Sequence, residues 1–341
     1  MKAYTLKAIN QLVYEDIPNP TCPEGWAIVQ VKAAGICSSD VPRVFEKGTY
    51  HFPTIPGHEF SGRVTKVGSI EHNFLLGKKV GVFPLIPCRH CSSCMQGKYE
   101  MCEHYDYIGS RRDGGFAEYV AVPVWNIMEV PESISFTEAA LMEPLAVSLH
   151  AVKQLLIHKA EHIAIIGTGM IGFAAAQWAL KLGGKSVVIV GRSEQKRELA
   201  KEIKGIQYCR LEECTQKFEC VLEAVGSNKS LETAIQLTKA GGRIVLMGNP
   251  EGEMVLSQQM YWKILRKQLV LAGTWNSSYE KEAPCDWHEV CVALATKQLQ
   301  IAPLISHVFQ QEQLLNALDL MRNHQQPYCK IITLWNKEKC I

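Results

Sequence analysis

At 341 residues, with 47% hydrophobic and 21% charged positions, the chain is too long for one ordinary core and has the balance of a soluble two-domain protein. A formal charge of +2 without blocks of like charge gives no pointer to nucleic acid, and no window holds the roughly 18 uninterrupted apolar residues a membrane span needs. The stretch Met1–Gln11 has no apolar core or cleavage site, and a single residue follows Cys340, which does not make a prenylation box; the cytosol is the expected compartment.

Residues 1–150 carry short β-like runs broken by Gly and Pro: Ala27–Val31, Gly62–Val67, Lys79–Phe83 and Phe116–Val122. Such spacing predicts a β-rich domain with long loops. From 151 the texture changes. His162–Ile166 is a continuous apolar run, as in a strand buried on both faces. Met170–Leu182 reads as a helix stopped by Gly183 and Gly184. Ser186–Val190 is a second strand, and Ser193 is placed to cap the helix that runs to about Ile203. Cys220–Val225, Arg243–Met247 and Leu269–Gly273 read as strands, with helices over Asn228–Lys239 and Gln258–Lys267. This alternation, over 151–276, predicts a doubly wound parallel sheet. The texture after 276 is mixed and ends in a strand-like run, Lys330–Trp335; the tail 277–341 is expected to rejoin the first domain.

Gly167-Thr168-Gly169-Met170-Ile171-Gly172 follows the first of these strands and opens the first helix. The pattern supplies a tight turn, close backbone approach to a pyrophosphate and close helix–strand packing, with the helix N-terminus facing the phosphates. An NAD site would carry an acid at the end of the second strand to bind the ribose 2′-hydroxyl. Here Gly191-Arg192-Ser193 offers room, a guanidinium and a hydroxyl, with Lys196 and Arg197 one turn on. These features suit a 2′-phosphate, so NADP is favoured over NAD. The plainer alternative is a solvated Arg192.

Thirteen cysteines, an odd number, argue against a disulfide framework. Cys88, Cys91, Cys94 and Cys102 can wrap one ion from a short loop and close its coordination, which predicts a structural zinc. An iron–sulfur cluster is the competing use of four cysteines. Cys37, His58 and Glu143 together offer a thiolate, an imidazole and a carboxylate, a three-ligand set that leaves a position open for substrate. Taken singly, each also has an ordinary reading as a buried thiol, a loop histidine or a paired acid. Cys22, Cys209, Cys214, Cys220, Cys285, Cys291, Cys329 and Cys340 fall in no motif and read as packing or surface thiols.

Gly35-Ile36-Cys37-Ser38-Ser39-Asp40, Pro56–Gly62, the four-cysteine loop, Asp113–Tyr119, Glu143-Pro144-Leu145 and the glycine turn together resemble the zinc-containing medium-chain dehydrogenases. The resemblance runs over essentially the whole chain. Within that family, Ser39–Arg43, Gly57–Gly62 and Ile108–Gly115 are most similar to the polyol branch. The resemblance implies a GroES-like catalytic domain and a Rossmann domain, in a homodimer or homotetramer. It implies two zinc ions per chain, the catalytic one held by Cys37, His58 and Glu143. Glu59 would be an alternate ligand or a partner behind the ligands, and Ser39 the hydroxyl that relays the substrate proton. The implied reaction is hydride transfer from a secondary hydroxyl of a small polyol or polyol phosphate to a nicotinamide cofactor, with galactitol 1-phosphate giving tagatose 6-phosphate as the foremost example. Arg43, Arg111 and Arg112 are candidate phosphate anchors, or else solvated and ion-paired loop residues. A free-polyol or threonine-type dehydrogenase is the alternative enzyme, and a non-catalytic dinucleotide-binding protein the alternative of another class. The similar polyol-phosphate enzymes carry an acid where this chain has Gly191-Arg192-Ser193, which sets cofactor choice apart from the rest of the resemblance.

Overall fold

In the computed structural model, residues 1–250 and 252–335 are described. The chain divides into two compact units. One comprises 1–143, 278–298 and the segment from 305; the other comprises 144–277 and 299–304. No helix among the described residues is long and apolar enough to cross a membrane.

The first unit is built on the strand Trp26–Ile36, whose Val29, Val31, Ala33 and Ala34 are fully buried. β-Branched residues favour the pleated, packed surface this position demands. The strand bonds antiparallel to Glu59–Val67, Tyr119–Pro123 and Lys330–Leu334, and the sheet continues outward through Lys79–Val82 and Ile127–Glu129 on one side and Ile305–Gln310 on the other. The segment Lys330–Leu334 thus lies inside this sheet, between Ile305–Gln310 and Trp26–Ile36, with Ile331 opposite Ile36. Tyr119–Pro123 starts three residues later than Phe116–Val122 suggested. The Phe116 carbonyl instead accepts from the Tyr4 N–H, and the Glu118 N–H donates to the Lys2 carbonyl of the hairpin formed by Lys2–Ala8 and Gln11–Asp16, while the Glu118 carbonyl still accepts from Val31.

The second unit is a six-stranded parallel sheet. Numbered along the chain its strands lie in the order 3-2-1-4-5-6, as in a dinucleotide-binding doubly wound fold. His162–Ile166 is the first strand, Ser186–Gly191 the second and Ile206–Arg210 the third. That third strand escapes the apolar pattern because it is an edge strand with polar Gln207 and Arg210. Phe218–Glu223, Thr238–Leu246 and Val270–Gly273 complete the sheet. The helix from Asn228 stops at Leu237, two residues short of Lys239. Thr238 leaves it to pair with Phe218, and the Lys267 ammonium donates to the carbonyls of Ile235, Gln236 and Thr238 at 2.8, 3.1 and 2.7 Å. A distant lysine therefore supplies the C-terminal cap usually given by local residues.

Candidate active site

Strand register brings the dispersed residues of the first unit together. Cys37 follows directly on Trp26–Ile36, Glu59 opens the neighbouring strand, and Gly35 pairs with Glu59. The ligand atoms of Cys37, His58 and Glu59 all lie within 4.8 Å of one another. A sulfur, an imidazole nitrogen and a carboxylate oxygen at such spacing fit a zinc ion with an open position. Glu143 is not one of these three. It is buried close by, accepts a hydrogen bond from the Tyr107 hydroxyl at 3.4 Å, and burial pushes its carboxyl up to about 7. Of the two acids, Glu59 and not Glu143 completes the clustered set.

Two further residues control this cluster. Asp40, fully buried, accepts from the Cys37 backbone N–H at 2.9 Å and from the Arg43 guanidinium at 2.7 Å. Its other contact is His58 Nδ1 at 3.6 Å, an ion-pair separation beyond hydrogen-bonding distance. Burial acts against the charged forms of both Asp40 and His58. Their mutual attraction outweighs it, holding Asp40 below its ordinary value and His58 well above. At that separation Asp40 faces the ring nitrogen as a charge, without a hydrogen bond to it. The second residue is Lys330, nine-tenths or more buried, whose ammonium pairs with Glu59 and donates to the Ile36 carbonyl at 3.0 Å. Burial lowers the affinity of Lys330 for its proton, but Glu59, Cys37 and Glu143 more than restore it. Ser39 sits at the start of the helical turn Asp40–Pro42, and its hydroxyl makes no capping bond there.

The four-cysteine loop closes as its spacing suggests. Cys88 and Cys94 sulfurs are 3.9 Å apart, as are those of Cys91 and Cys102. A zinc tetrahedron with bonds of about 2.3 Å has sulfur–sulfur edges of about 3.8 Å. The twelve described cysteines are all free thiols, and Cys340 lies outside the described residues. Next to the loop, Trp125 takes Arg89 over its ring at 4.5 Å and packs edge-on against Tyr99 at 5.1 Å.

In the second unit, Gly167 has φ 128°, and Gly169 is the residue before the helix Met170–Lys181. A Cβ on Gly172 would overlap the Gly167 carbonyl, whereas one on Gly169 would meet nothing within 4 Å. The turn is thus closed on its packing side and open where a pyrophosphate would approach, which fits a dinucleotide. Met170 is buried and Ile171 half-buried at the first helical turn. Gly191 gives no room of its own: a Cβ there would collide with the Thr168 methyl and stand 2.6 Å from the Tyr208 hydroxyl. Packing alone already requires glycine here. Arg192 is exposed. Ser193 holds the N-cap position, but its hydroxyl donates to Gln195 at 3.0 Å instead of capping the helix. Arg197 is engaged by Glu213 at 3.0 Å and Glu194 at 3.4 Å.

Two family models match the chain: an alcohol dehydrogenase GroES-like domain over residues 23–132 and a zinc-binding dehydrogenase domain over 171–295. Galactitol 1-phosphate 5-dehydrogenase of Escherichia coli K12 is 34% identical over 307 residues, covering 86% of this chain and 89% of the relative. The chain belongs to the zinc-containing medium-chain dehydrogenases. The crystal structure of Escherichia coli galactitol-1-phosphate dehydrogenase superposes on this dehydrogenase with TM-score 0.87 at 30% identity, over 98% of this chain and 100% of that one. A zinc-binding dehydrogenase from Sinorhizobium meliloti bound to NADP gives 0.88 at 26% identity, covering 98% of each chain. An alcohol dehydrogenase from Escherichia coli in complex with NADH gives 0.89 at 26% identity, covering 98% and 99%.

The dehydrogenase keeps its three candidate phosphate-binding arginines occupied. Arg43 is paired with Asp40. Arg111 donates to the Tyr105 carbonyl at 2.7 Å and lies over the rings of Tyr50 and Tyr105. Arg112 pairs with Asp106. Asp40, Lys330 and Tyr107 were not singled out for roles in this site from the sequence. Asp40 stood inside a quoted motif, three residues after Cys37. Lys330, almost 300 residues from Cys37, left no local signal.

Proposed function

We propose that the enzyme oxidises a secondary hydroxyl of a polyol phosphate, galactitol 1-phosphate in the first instance, with NADP as hydride acceptor and two zinc ions per chain. The observation that carries this reading is the convergence of Cys37, His58 and Glu59 donor atoms, with Asp40 behind them, in a chain 34% identical to a galactitol 1-phosphate dehydrogenase. Cys37 and His58 hold the catalytic ion together with one carboxylate, Glu59 or Glu143. Cys88, Cys91, Cys94 and Cys102 hold the structural one.

Bound zinc supplies Lewis acidity that lowers the pKa of a substrate hydroxyl, and the nicotinamide takes the hydride. The remaining work belongs to side chains. Asp40 keeps the His58 ring and the Cys37 backbone in place. Lys330 neutralises Glu59, so two acids, Glu59 and Glu143, can share a buried site. Ser39, whose hydroxyl has no capping duty, carries the substrate proton outward. The absence of a carboxylate at Gly191-Arg192-Ser193 supports NADP.

A free polyol is the second reading, favoured by the protein partners that Arg43, Arg111 and Arg112 already hold. Turnover of galactitol 1-phosphate, galactitol, sorbitol and threonine, each with NAD and NADP, separates these possibilities. Phosphate-ester oxidation with NADP supports the proposal, and activity on unphosphorylated alcohols alone rejects it. Metal analysis giving about two zinc per chain favours the enzyme over a non-catalytic dinucleotide-binding protein, for which about one is expected. Wild-type turnover in Cys37→Ala would remove Cys37 from the site.

A further inference from the structure

Gly191 ends the second strand of the parallel sheet, and its register partner on the third strand is Arg210. Paired residues on neighbouring strands project to the same face, and residues two apart on one strand share a face. Tyr208 and Arg210 therefore lie on the face of Gly191. That is also the face where the Thr168 methyl of the glycine turn would meet a Cβ on Gly191. In a doubly wound fold the ribose 2′ position lies at the end of the second strand. Arg192 follows that end in sequence, and Arg210 stands beside it across one backbone ladder.

The two arginines share a second property. Among the described residues no ion pair engages Arg192, which is exposed. The buried Arg210 Nε makes no hydrogen bond; its nearest carboxylate, Glu212, is 3.7 Å away in a largely exposed pair of little strength. Arg197 differs. It is held by Glu213 and Glu194 and lies 5.7 Å from the Tyr208 ring centroid, so its charge is already matched by two acids. The Tyr208 hydroxyl donates to the Ser193 carbonyl at 2.8 Å, tying the third strand to the loop that carries Arg192.

We propose that Arg210 is the second cation of the site for the cofactor's 2′-phosphate, and that Arg192 and Arg210, not Arg197, set the preference for NADP. This rests on the NADP reading above. A phosphate between two guanidinium groups gains charge-assisted hydrogen bonds from both, and a 2′-hydroxyl gains far less.

The test is equilibrium binding of NADPH and NADH, followed by nicotinamide fluorescence, to zinc-loaded wild type, Arg210→Gln, Arg192→Gln and Arg197→Gln. Wild type is expected to bind NADPH more tightly than NADH. Arg210→Gln and Arg192→Gln should each weaken NADPH by about tenfold to a hundredfold, the range of a lost charged hydrogen bond. NADH, which lacks the phosphate, should change less than about twofold and so reports an intact fold, and Arg197→Gln should leave the NADPH-to-NADH ratio in place. If wild type prefers NADPH and Arg210→Gln keeps that preference, or weakens both nucleotides alike, the role of Arg210 is overturned and the NADP reading stands. If wild type prefers NADH, the NADP reading fails and this inference fails with it.

Discussion

In the zinc-free protein, replacing Lys330 by Met strips a deeply buried carboxylate of its paired ammonium group. Glu59 and Lys330 side chains are 2% and 4% exposed, and Lys330 also satisfies the Ile36 carbonyl. Methionine matches the length of the stem, so little packing is lost and the electrostatic change dominates. Removing one member of a buried pair costs about 3–5 kcal/mol, because the other charge stays buried without compensation. For a body of this size each kcal/mol moves the melting temperature by about 2–4 °C, so Lys330→Met should melt on the order of 10 °C below wild type. Circular dichroism melts of wild type, Lys330→Met, Glu59→Gln and the double variant form a cycle. The double variant should recover more than half of the loss, since neither charge then remains stranded. A Lys330→Met protein that melts within about 2 °C of wild type would refute the claim that Lys330 compensates Glu59.

If the four-cysteine loop holds the proposed structural zinc, Cys94→Ser should lower the zinc content by about one ion per chain, seen by metal analysis, and lower the melting temperature, because a three-ligand site holds the loop less well. Gly172→Ala places a methyl group against the Gly167 carbonyl, and should cost about 1–3 kcal/mol in urea unfolding while weakening nucleotide binding. Unchanged nucleotide affinity would show that the turn tolerates the shift. Glu161 accepts from the His158 N–H, the Cys220 thiol and the Arg243 guanidinium, which together outweigh burial and hold its carboxyl below 4.5. A depressed folded-state pKa gives stability that is present above about 4.5 and lost as pH falls through the folded value. Glu161→Gln should therefore destabilise by about 1–2 kcal/mol at pH 7 and by much less near pH 3; an equal loss at both pH values would remove the ionic explanation.

Features written in adjacent residues were legible before any coordinates. The four cysteines sit on one loop, and the glycine turn joins a strand to the helix it opens, so spacing alone carries the geometry. The parallel strands read as His162–Ile166 and Ser186–Val190 were equally plain, because burial on both faces leaves continuous apolar runs. Where two distant segments decide the outcome, local pattern fails. Donor chemistry and the family resemblance offered Glu143 as the third ligand with Glu59 as the alternate, and only strand register shows that Glu59 stands beside Cys37 and His58. Composition suggested room at Gly191, whereas Thr168 and Tyr208 fill it. Local sequence leaves Arg197 free for a phosphate, whereas Glu213, sixteen positions on, holds it. In each case the missing information was which residue from elsewhere occupies the space.

The place of Lys330–Leu334 inside the sheet, between two other strands, also bears on the order in which the protein is made. A ribosome delivers the strand Trp26–Ile36 long before the segment that pairs with its Ala33–Ile36 end, while the six parallel strands between 162 and 273 emerge in one continuous run. Domains generally fold as units during synthesis. The parallel sheet is thus free to form while the sheet around Cys37 still waits for its last strand. A nascent chain halted before residue 330 should carry a protease-resistant second unit and a first unit that remains open to cleavage near Cys37, where Lys330 has yet to reach Glu59.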